Sequence, residues 1–461
     1  MNTPRFYNTL TRDKAPLPAT PGQSVKIYTC GPTVYDYAHI GNFRAYVFED
    51  LLQRYLEVSG HPVSRVMNFT DVDDKTIRNS RAKGVALSDF TAVYKKAFLE
   101  DLAALHIKIP AQMPCATDYI PRMIGMIESL EKKGVAYQAE DKSVYYRIER
   151  FPSYGKLAHL NLDELKPSGR VNHDEYEKES VGDFALWKAA TPEDGDNRWD
   201  SPWGAGRPGW HIECSAMATA LLGDTVDIHC GGVDNIFPHH EAEIAQSEAC
   251  TGHPFVKLWM HCEHLRVNGQ KMAKSLGNFH TLRDLMQKGF SGRQIRYALI
   301  SVHYRLPLNF TFDELDAVGQ ALQRIDGWRR RLSALPAAKG QPPAKWLEDF
   351  LEALSDDLNI SKALAVLFDT IRETNRMMDQ NALAPEDAAS HLAAWQIAES
   401  ILALGEQEEC VAPQEVLVLL EKRKAARQAK DWKASDQIRQ EIQTLGWTVK
   451  DTPKGQELIQ N

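Results

Sequence analysis

An α/β fold is predicted: a doubly wound parallel sheet with an insertion, then a helical bundle and a small terminal module. Three features of the 461-residue chain point there. Strand-like runs at 24–30, 63–70, 225–229 and 255–260 sit beside stretches of helical period, which is the spacing of βαβ units. A segment with its own helix, hairpin and polar tail separates the first two runs from the last two. After about residue 313 the pattern is wholly helical, broken by Pro-containing segments at 335–345, 381–387 and 405–415.

Residues 24–30, SVKIYTC, alternate and are rich in β-branched types, and Gly31-Pro32 ends the run. Apolar residues Phe43, Tyr46, Val47, Leu51, Tyr55 and Val58 then follow a helical period from Asn42 to Ser59, closed by Gly60. The run VSRVMNFT at 63–70 returns to a strand. A parallel sheet offers ligands the carboxyl ends of its strands, where Cys30, Gly31 and Thr70 fall. A helix near 119–134, a hairpin in VAYQAEDKSVYYRI and a stretch rich in Asp, Gly and Trp form the insertion. The sheet resumes with a helix at 210–222, the strand TVDIH, a helix from Pro238 to Ala249 and the strand FVKLWM. This length exceeds one hydrophobic core, so several domains are expected.

The net charge of −8 repels a polyanion at long range, so any RNA contact must use local basic patches. The polar N-terminus lacks the apolar run of a secretory signal and no later stretch is long enough to span a bilayer, which predicts a cytoplasmic protein without membrane contact. Seven scattered cysteines, an odd number, argue against a disulfide framework and leave metal binding open.

The loop Gly31-Pro32-Thr33-Val34-Tyr35-Asp36-Tyr37-Ala38-His39-Ile40-Gly41-Asn42 joins a strand end to a helix start, where free N–H groups and the helix dipole favour an anion. His39 can donate to a phosphate, and Gly41 allows close approach of a nucleotide. Farther on, Lys271 and Lys274 lie three apart between Gly269 and Gly277, a loop able to close over a triphosphate and offset charge on pyrophosphate. Each segment alone also fits an ordinary surface loop. Together, both just after predicted strands, they meet the demands of one shared site.

In Phe237-Pro238-His239-His240-Glu241-Ala242-Glu243, Pro238 reads as the start of a helix, which puts His239 and Glu243 four apart on one face. A metalloprotease helix needs His-Glu-x-x-His or His-x-x-Glu-His, and neither is present. A plainer reading makes His240 and Glu241 helix-surface residues and His239 a satisfied core histidine. In a doubly wound sheet, however, Cys30 and Cys214 can converge with His239 and Glu243 at the carboxyl edge. Nitrogen, carboxylate and thiolate donors together suit zinc.

These motifs resemble the class I aminoacyl-tRNA synthetases, whose signatures are His-Ile-Gly-His and Lys-Met-Ser-Lys-Ser. Here Asn42 replaces the second histidine and Ala273 the first serine. Cys-Gly-x-Thr-Val-Tyr-Asp from Cys30, Gly-Trp-His-Ile-Glu-Cys-Ser-Ala-Met from Gly209 and Phe-Pro-His-His-Glu-x-Glu from Phe237 narrow the resemblance to cysteinyl-tRNA synthetases. The resemblance implies that Cys30, Cys214, His239 and Glu243 bind one zinc ion. It places Gly31, His39, Gly41, Asn42, Lys271 and Lys274 around Mg2+-ATP, with His39, Asn42, Lys271 and Lys274 catalytic. It also places Thr70, Trp210 and Asp234 around the cysteine substrate, and implies a monomer.

It further implies a Rossmann-type catalytic domain at 1–120 and 200–256, a connective insertion at 121–199, a signature-lysine and stem-contact region at 257–312, a helical bundle at 313–408 and an anticodon-binding domain at 409–461. Within the last, Arg427 can contact phosphate, Trp432 can stack on an unpaired base and Asp436 can accept from a base edge, although a basic helix is often simply a solvated face. Arg329-Arg330-Arg331 is a further tRNA-backbone candidate. Cys230 stands where the family commonly has glycine, and replacement of a small residue is the favoured reading. Two alternatives stay open: a ligase joining cysteine to a glucosaminyl-inositol in mycothiol synthesis, and a non-catalytic RNA-binding paralogue.

Overall fold

The structure, a computed structural model, describes every residue except 1–2, 161–165, 172–179, 274–275, 337, 339, 406–412, 430, 453–454 and 461. The chain divides into two units, Met1–Gly405 and Glu406–Asn461.

In the first unit, β1 (Arg5–Asn8) and β2 (Asp13–Pro16) form an antiparallel hairpin. Then β3 (Val25–Thr29), α1 (Ile40–Val58) and β4 (Val63–Met67) make the first βαβ unit. Alternation along β3 sends Val25 and Ile27 to the core shared with Phe43, Val47 and Leu51 of α1, and Tyr28 to a second core on the other face. Helices α2 (Asp74–Lys83) and α3 (Leu87–Ala104) follow. The insertion holds α4 (Ile120–Lys132) and a sheet, not a lone hairpin: β5 (Ala136–Gln138), β6 (Val144–Tyr146), β7 (Lys166–Val171), β8 (Ser180–Ala189) and β9 (Gly206–Pro208), ordered β5-β6-β8-β7 with β9 on β8.

The main sheet resumes through α5 (Trp210–Leu222), β10 (Val226–Gly232), α6 (Glu241–Thr251) and β11 (Val256–Cys262). Its four strands run parallel in the order β11-β10-β3-β4. The chain winds one way from β3 and the other way from β10, which opens a crevice between their carboxyl ends. The helical run predicted from Pro238 follows extended Phe237 (φ −140°, ψ 133°), the conformation expected just before a first helical residue, and passes through the kinked turn Ile236–His240 into α6.

A small sheet of β12 (Leu265–Val267), β13 (Gln270–Lys271) and, after α7 (Leu282–Gln287) and α8 (Gly292–Ile300), β14 (Leu308–Phe310) carries the lysine loop. The bundle comprises α9 (Phe312–Ser333), α10 (Trp346–Ser355), α11 (Ile360–Asp379) and α12 (Pro385–Leu402). Trp328 packs edge-on against Trp346 and Trp395 and donates Nε1–H to Thr374 Oγ1 at 2.7 Å. Fully buried Arg296 on α8 bonds Asp50 of α1 at 2.6 Å and the carbonyls of Leu105 and Leu402. This pair ties bundle to sheet, and removing one partner would leave a buried charge at a cost of about 3–5 kcal/mol.

The second unit contains α13 (Gln414–Gln428), α14 (Trp432–Thr444) and the antiparallel strands β15 (Trp447–Thr452) and β16 (Gly455–Gln460). The expectation of a wholly helical tail fails here. Trp447 and Val449, two apart, face one side and close a small core with Val416 and Ile442, as a strand's period allows. Among the described residues no helix is long and apolar enough to cross a membrane.

Candidate active site and metal centre

A cavity of about 720 Å³ opens at the carboxyl ends of β3 and β10. Its wall includes Cys30, Gly31, His39, Gly41, Asn42, Thr70, Trp210, Cys214, Asp234, His239 and Lys271. Glu243 lies fully buried behind that wall, and Lys274 lies outside the described residues.

One end of the cavity is built on the start of α1. His39 is its N-cap: His39 Nδ1 accepts from the Asn42 backbone N–H at 3.2 Å, and Asn42 Oδ1 accepts from the His39 N–H at 3.1 Å. The departure at Asn42 thus completes a capping box that holds His39 in place, a role an amide serves without charge. A Cβ on Gly31 would lie 1.6 Å from the Asn68 carbonyl oxygen, so that close approach requires glycine, whereas one on Gly41 would lie 2.9 Å from Met272 Cε and His39 Nδ1 and would push these side chains aside. The lysine loop reaches the same wall. Asn278 clamps it, accepting from Ala273 N–H at 2.8 Å and donating to the Lys271 carbonyl at 3.1 Å.

At the other end, donor atoms of Cys30, Cys214, His239 and Glu243 all lie within 4.8 Å of one another. Cys30 Sγ and Cys214 Sγ are 3.9 Å apart. Tetrahedral zinc–thiolate bonds of about 2.3 Å require an S···S edge of about 3.8 Å, so the pair matches a shared ion and is far from disulfide distance. Cys30 Sγ is 3.7 Å from Glu243 Oε1, against about 3.5 Å for a sulfur–oxygen edge, and His239 Nε2 is 3.0 Å from the same oxygen. Burial raises the Cys30 thiol well above its usual range. Burial also opposes ionisation of Cys214, yet Cys30 and His239 draw it down to about 6. Glu243 falls to about 2 despite its burial because His229 and His239 face it.

Around these donors stands a shell that sequence reasoning missed. His229 Nε2 meets Glu243 Oε2 at 2.9 Å, His211 Nδ1 meets His239 Nδ1 at 3.0 Å, and His240 Nδ1 meets His261 Nε2 at 2.8 Å. His261 Nδ1 in turn meets Thr9 Oγ1, from the loop of the N-terminal hairpin, at 2.7 Å. Cys30, His229, His240 and Glu243 form a second group within 4.8 Å, sharing two members with the first. Only the first group offers both thiols; in the second, His240 Nε2 stands 3.4 Å from Cys30 Sγ. His240 and Glu241, which the plainer reading put on a helix surface, are fully buried; Glu241 Oε2 accepts from the Leu157 and Ala158 N–H groups at 2.9 Å each, pinning the insertion to α6. The signal for this shell was a density of histidines at strand and helix ends, not any spacing.

Trp210 stacks on His239 with centroids 4.1 Å apart. Thr70 Oγ1 donates to buried Glu213 Oε2 at 2.7 Å, and Asn68 supports both ends, accepting from Gly31 N–H at 3.0 Å and donating to Thr70 Oγ1 at 3.3 Å. Asp234 lies in the short turn Val233–Asn235 after β10. Cys115, Cys230, Cys250 and Cys262 belong to neither donor group, Cys230 being fully buried in the core, and Cys410 lies outside the described residues. In the second unit the Arg427 guanidinium lies 5.6 Å over the Trp432 ring; Trp432 and Asp436 are exposed. Arg329, Arg330 and Arg331 lie on α9, where Arg331 bonds Asn375 and Asp379.

Residues 17–320 match the model of the class I (C) tRNA synthetase catalytic domain, 349–405 the DALR domain, and 412–458 the cysteinyl-tRNA ligase anticodon binding domain. The chain is 50% identical to the cysteine–tRNA ligase of Protochlamydia amoebophila over 465 residues, covering 98% of this chain and 97% of the relative. It is 49% identical to that of Chlamydia muridarum, covering 98% of each. Mycobacterium tuberculosis methionyl-tRNA synthetase in complex with methionyl-adenylate shares the fold, with a TM-score of 0.58 at 12% identity over 83% of this chain and 90% of that one. The mycothiol-ligase alternative gains no support, since whole-length relatives are cysteine–tRNA ligases and the terminal unit matches an anticodon-binding model. This chain belongs to the cysteinyl-tRNA synthetase family of class I aminoacyl-tRNA synthetases, ligases that join cysteine to tRNA.

Proposed function

We propose that the cavity forms cysteinyl-adenylate from L-cysteine and Mg2+-ATP and that the cysteinyl group then passes to the 3′ end of tRNA(Cys), with selection of cysteine resting on a zinc ion at Cys30, Cys214, His239 and Glu243. The observation that carries this reading is the placement of two sulfurs 3.9 Å apart on the same wall as His39, Asn42 and Lys271. Bound there, zinc would supply a centre that takes a thiolate far more readily than a serine hydroxyl, which does not ionise in this range. A pocket working by shape alone would separate such near-isosteres by only ~1–3 kcal/mol.

The remaining work belongs to side chains. Trp210 bounds the small substrate side chain, and Thr70 and Asp234 receive its ammonium group. The cysteine carboxylate attacks the α-phosphorus, and the bond to pyrophosphate breaks. His39, held by Asn42, donates to the phosphates, Gly31 and Gly41 give the nucleotide room, and Lys271 with Lys274 offsets charge on the leaving pyrophosphate. A ribose hydroxyl of the tRNA then attacks the acyl carbon and AMP departs. Arg427, Trp432 and Asp436 read the anticodon. A monomeric, cytoplasmic enzyme is consistent with this chemistry. Cysteine-dependent pyrophosphate exchange together with charging of a tRNA(Cys) transcript tests the reading; exchange without charging would overturn it.

A further inference from the structure

We infer that Tyr37 and Tyr94, with the cations stacked on them, form a platform at the cavity mouth that holds the unpaired nucleotides preceding the terminal adenosine of the tRNA. The inference rests on the tRNA-charging reading and adds the site that the single strand occupies on its way in.

Tyr37 is on the cavity wall and yet 40% exposed, so its ring spans the boundary between pocket and solvent. Its ring meets Tyr94 of α3 edge-on at 5.4 Å, and the Arg283 guanidinium lies 5.2 Å from its centroid. Arg283 is fixed by Glu100 at 2.7 Å and Asp101 at 3.1 Å, so this cation is already oriented. Lys83 sits 5.5 Å from the Tyr94 ring and 5.1 Å from Phe90, and Lys75 sits 5.3 Å over Tyr35. Val93, beside Tyr94 on α3, is 56% exposed. Open aromatic faces backed by cations are the composition that binds single-stranded nucleic acid: bases stack on the rings and the cations meet the phosphates.

Continuity with the cavity selects the occupant. Acyl transfer requires the terminal ribose to reach the adenylate inside, so the preceding nucleotide must cross the mouth where Tyr37 stands. A base there covers the exposed ring.

The test measures binding and charging of two tRNA(Cys) transcripts, one complete and one lacking its last two nucleotides, with the full-length chain and its Tyr37→Ala, Tyr37→Phe and Tyr94→Ala variants. For the unaltered chain, truncation should weaken binding roughly 5- to 150-fold, the range for a lost base stack. Tyr37→Ala should lose a comparable factor on the complete transcript and little more on truncation, and Tyr37→Phe should behave as the unaltered chain. Tyr94→Ala should reduce kcat/KM for tRNA while leaving cysteine-dependent pyrophosphate exchange unchanged. Equal truncation penalties in all four proteins would overturn the platform, as would a loss in Tyr37→Ala that exchange shares in full. Failure of the unaltered chain to charge any tRNA would overturn the reading beneath it.

Discussion

Removing the imidazole of His229 should loosen the metal without touching a ligand. His229 is fully buried, holds Glu243 Oε2 at 2.9 Å and stacks on Trp259 with centroids 4.7 Å apart. His229→Ala leaves that carboxylate oxygen buried without its donor and frees Glu243 to rotate away from Cys30 and His239. Loss of such a supporting hydrogen bond typically lowers metal affinity about 10- to 100-fold, equivalent to roughly 1.4–2.7 kcal/mol. His229→Gln retains an N–H donor and most of the volume, so it should recover much of the loss. Competition with a chelator of known affinity, followed by metal analysis, gives the zinc dissociation constant, and circular dichroism verifies folding. A folded His229→Ala variant with zinc affinity within about twofold of the unaltered chain would refute the argument. Equal losses in Ala and Gln variants would also refute it, because packing alone would then explain the effect.

Two further outcomes follow from groups on the wall of the same cavity. Glu49 of α1 is pushed up to about 8 by burial, against the opposing pull of Arg65 and the Thr29 hydroxyl. A folded-state value above the unfolded 4.5 means its contribution to stability is greatest below pH 4.5 and is lost as pH rises toward 8, an effect of up to about 4–5 kcal/mol. Glu49→Gln should therefore raise Tm relative to the unaltered chain at pH 8.5 far more than at pH 5; an equal difference at both would contradict this. Asn42→Ala removes the acceptor that holds His39 N–H at 3.1 Å. It should cost about 0.5–2 kcal/mol at the helix end and lower kcat of pyrophosphate exchange roughly 10-fold with little change in KM for cysteine; an unchanged kcat would exclude a positioning role.

The parallel sheet was legible because buried strands such as SVKIYTC and FVKLWM carry dense β-branched and apolar runs between helical periods. Their order was not, since β10 pairs with β3 some two hundred residues away and no local pattern encodes that choice. Cys30, Cys214, His239 and Glu243 could be grouped from sequence only by assuming the sheet and the family. The surrounding histidines could not, because His211, His229 and His261 each look like an isolated core residue until the sheet brings them together. The polar N-terminal segment carries no signal of its role, yet Thr9 N–H bonds the Trp259 carbonyl at 2.9 Å and its hydroxyl supports His261. The β15–β16 hairpin was missed although Trp447 and Val449 alternate.

The central claim is that a metal held by Cys30, Cys214, His239 and Glu243 selects cysteine. Its most direct measurement is charging of tRNA(Cys) with cysteine and with serine before and after verified removal of zinc, then again after zinc is restored. The account predicts one zinc per chain, collapse of cysteine charging on removal and recovery on restoration. Cysteine charging and cysteine-over-serine preference that survive in metal-free, folded protein would contradict it.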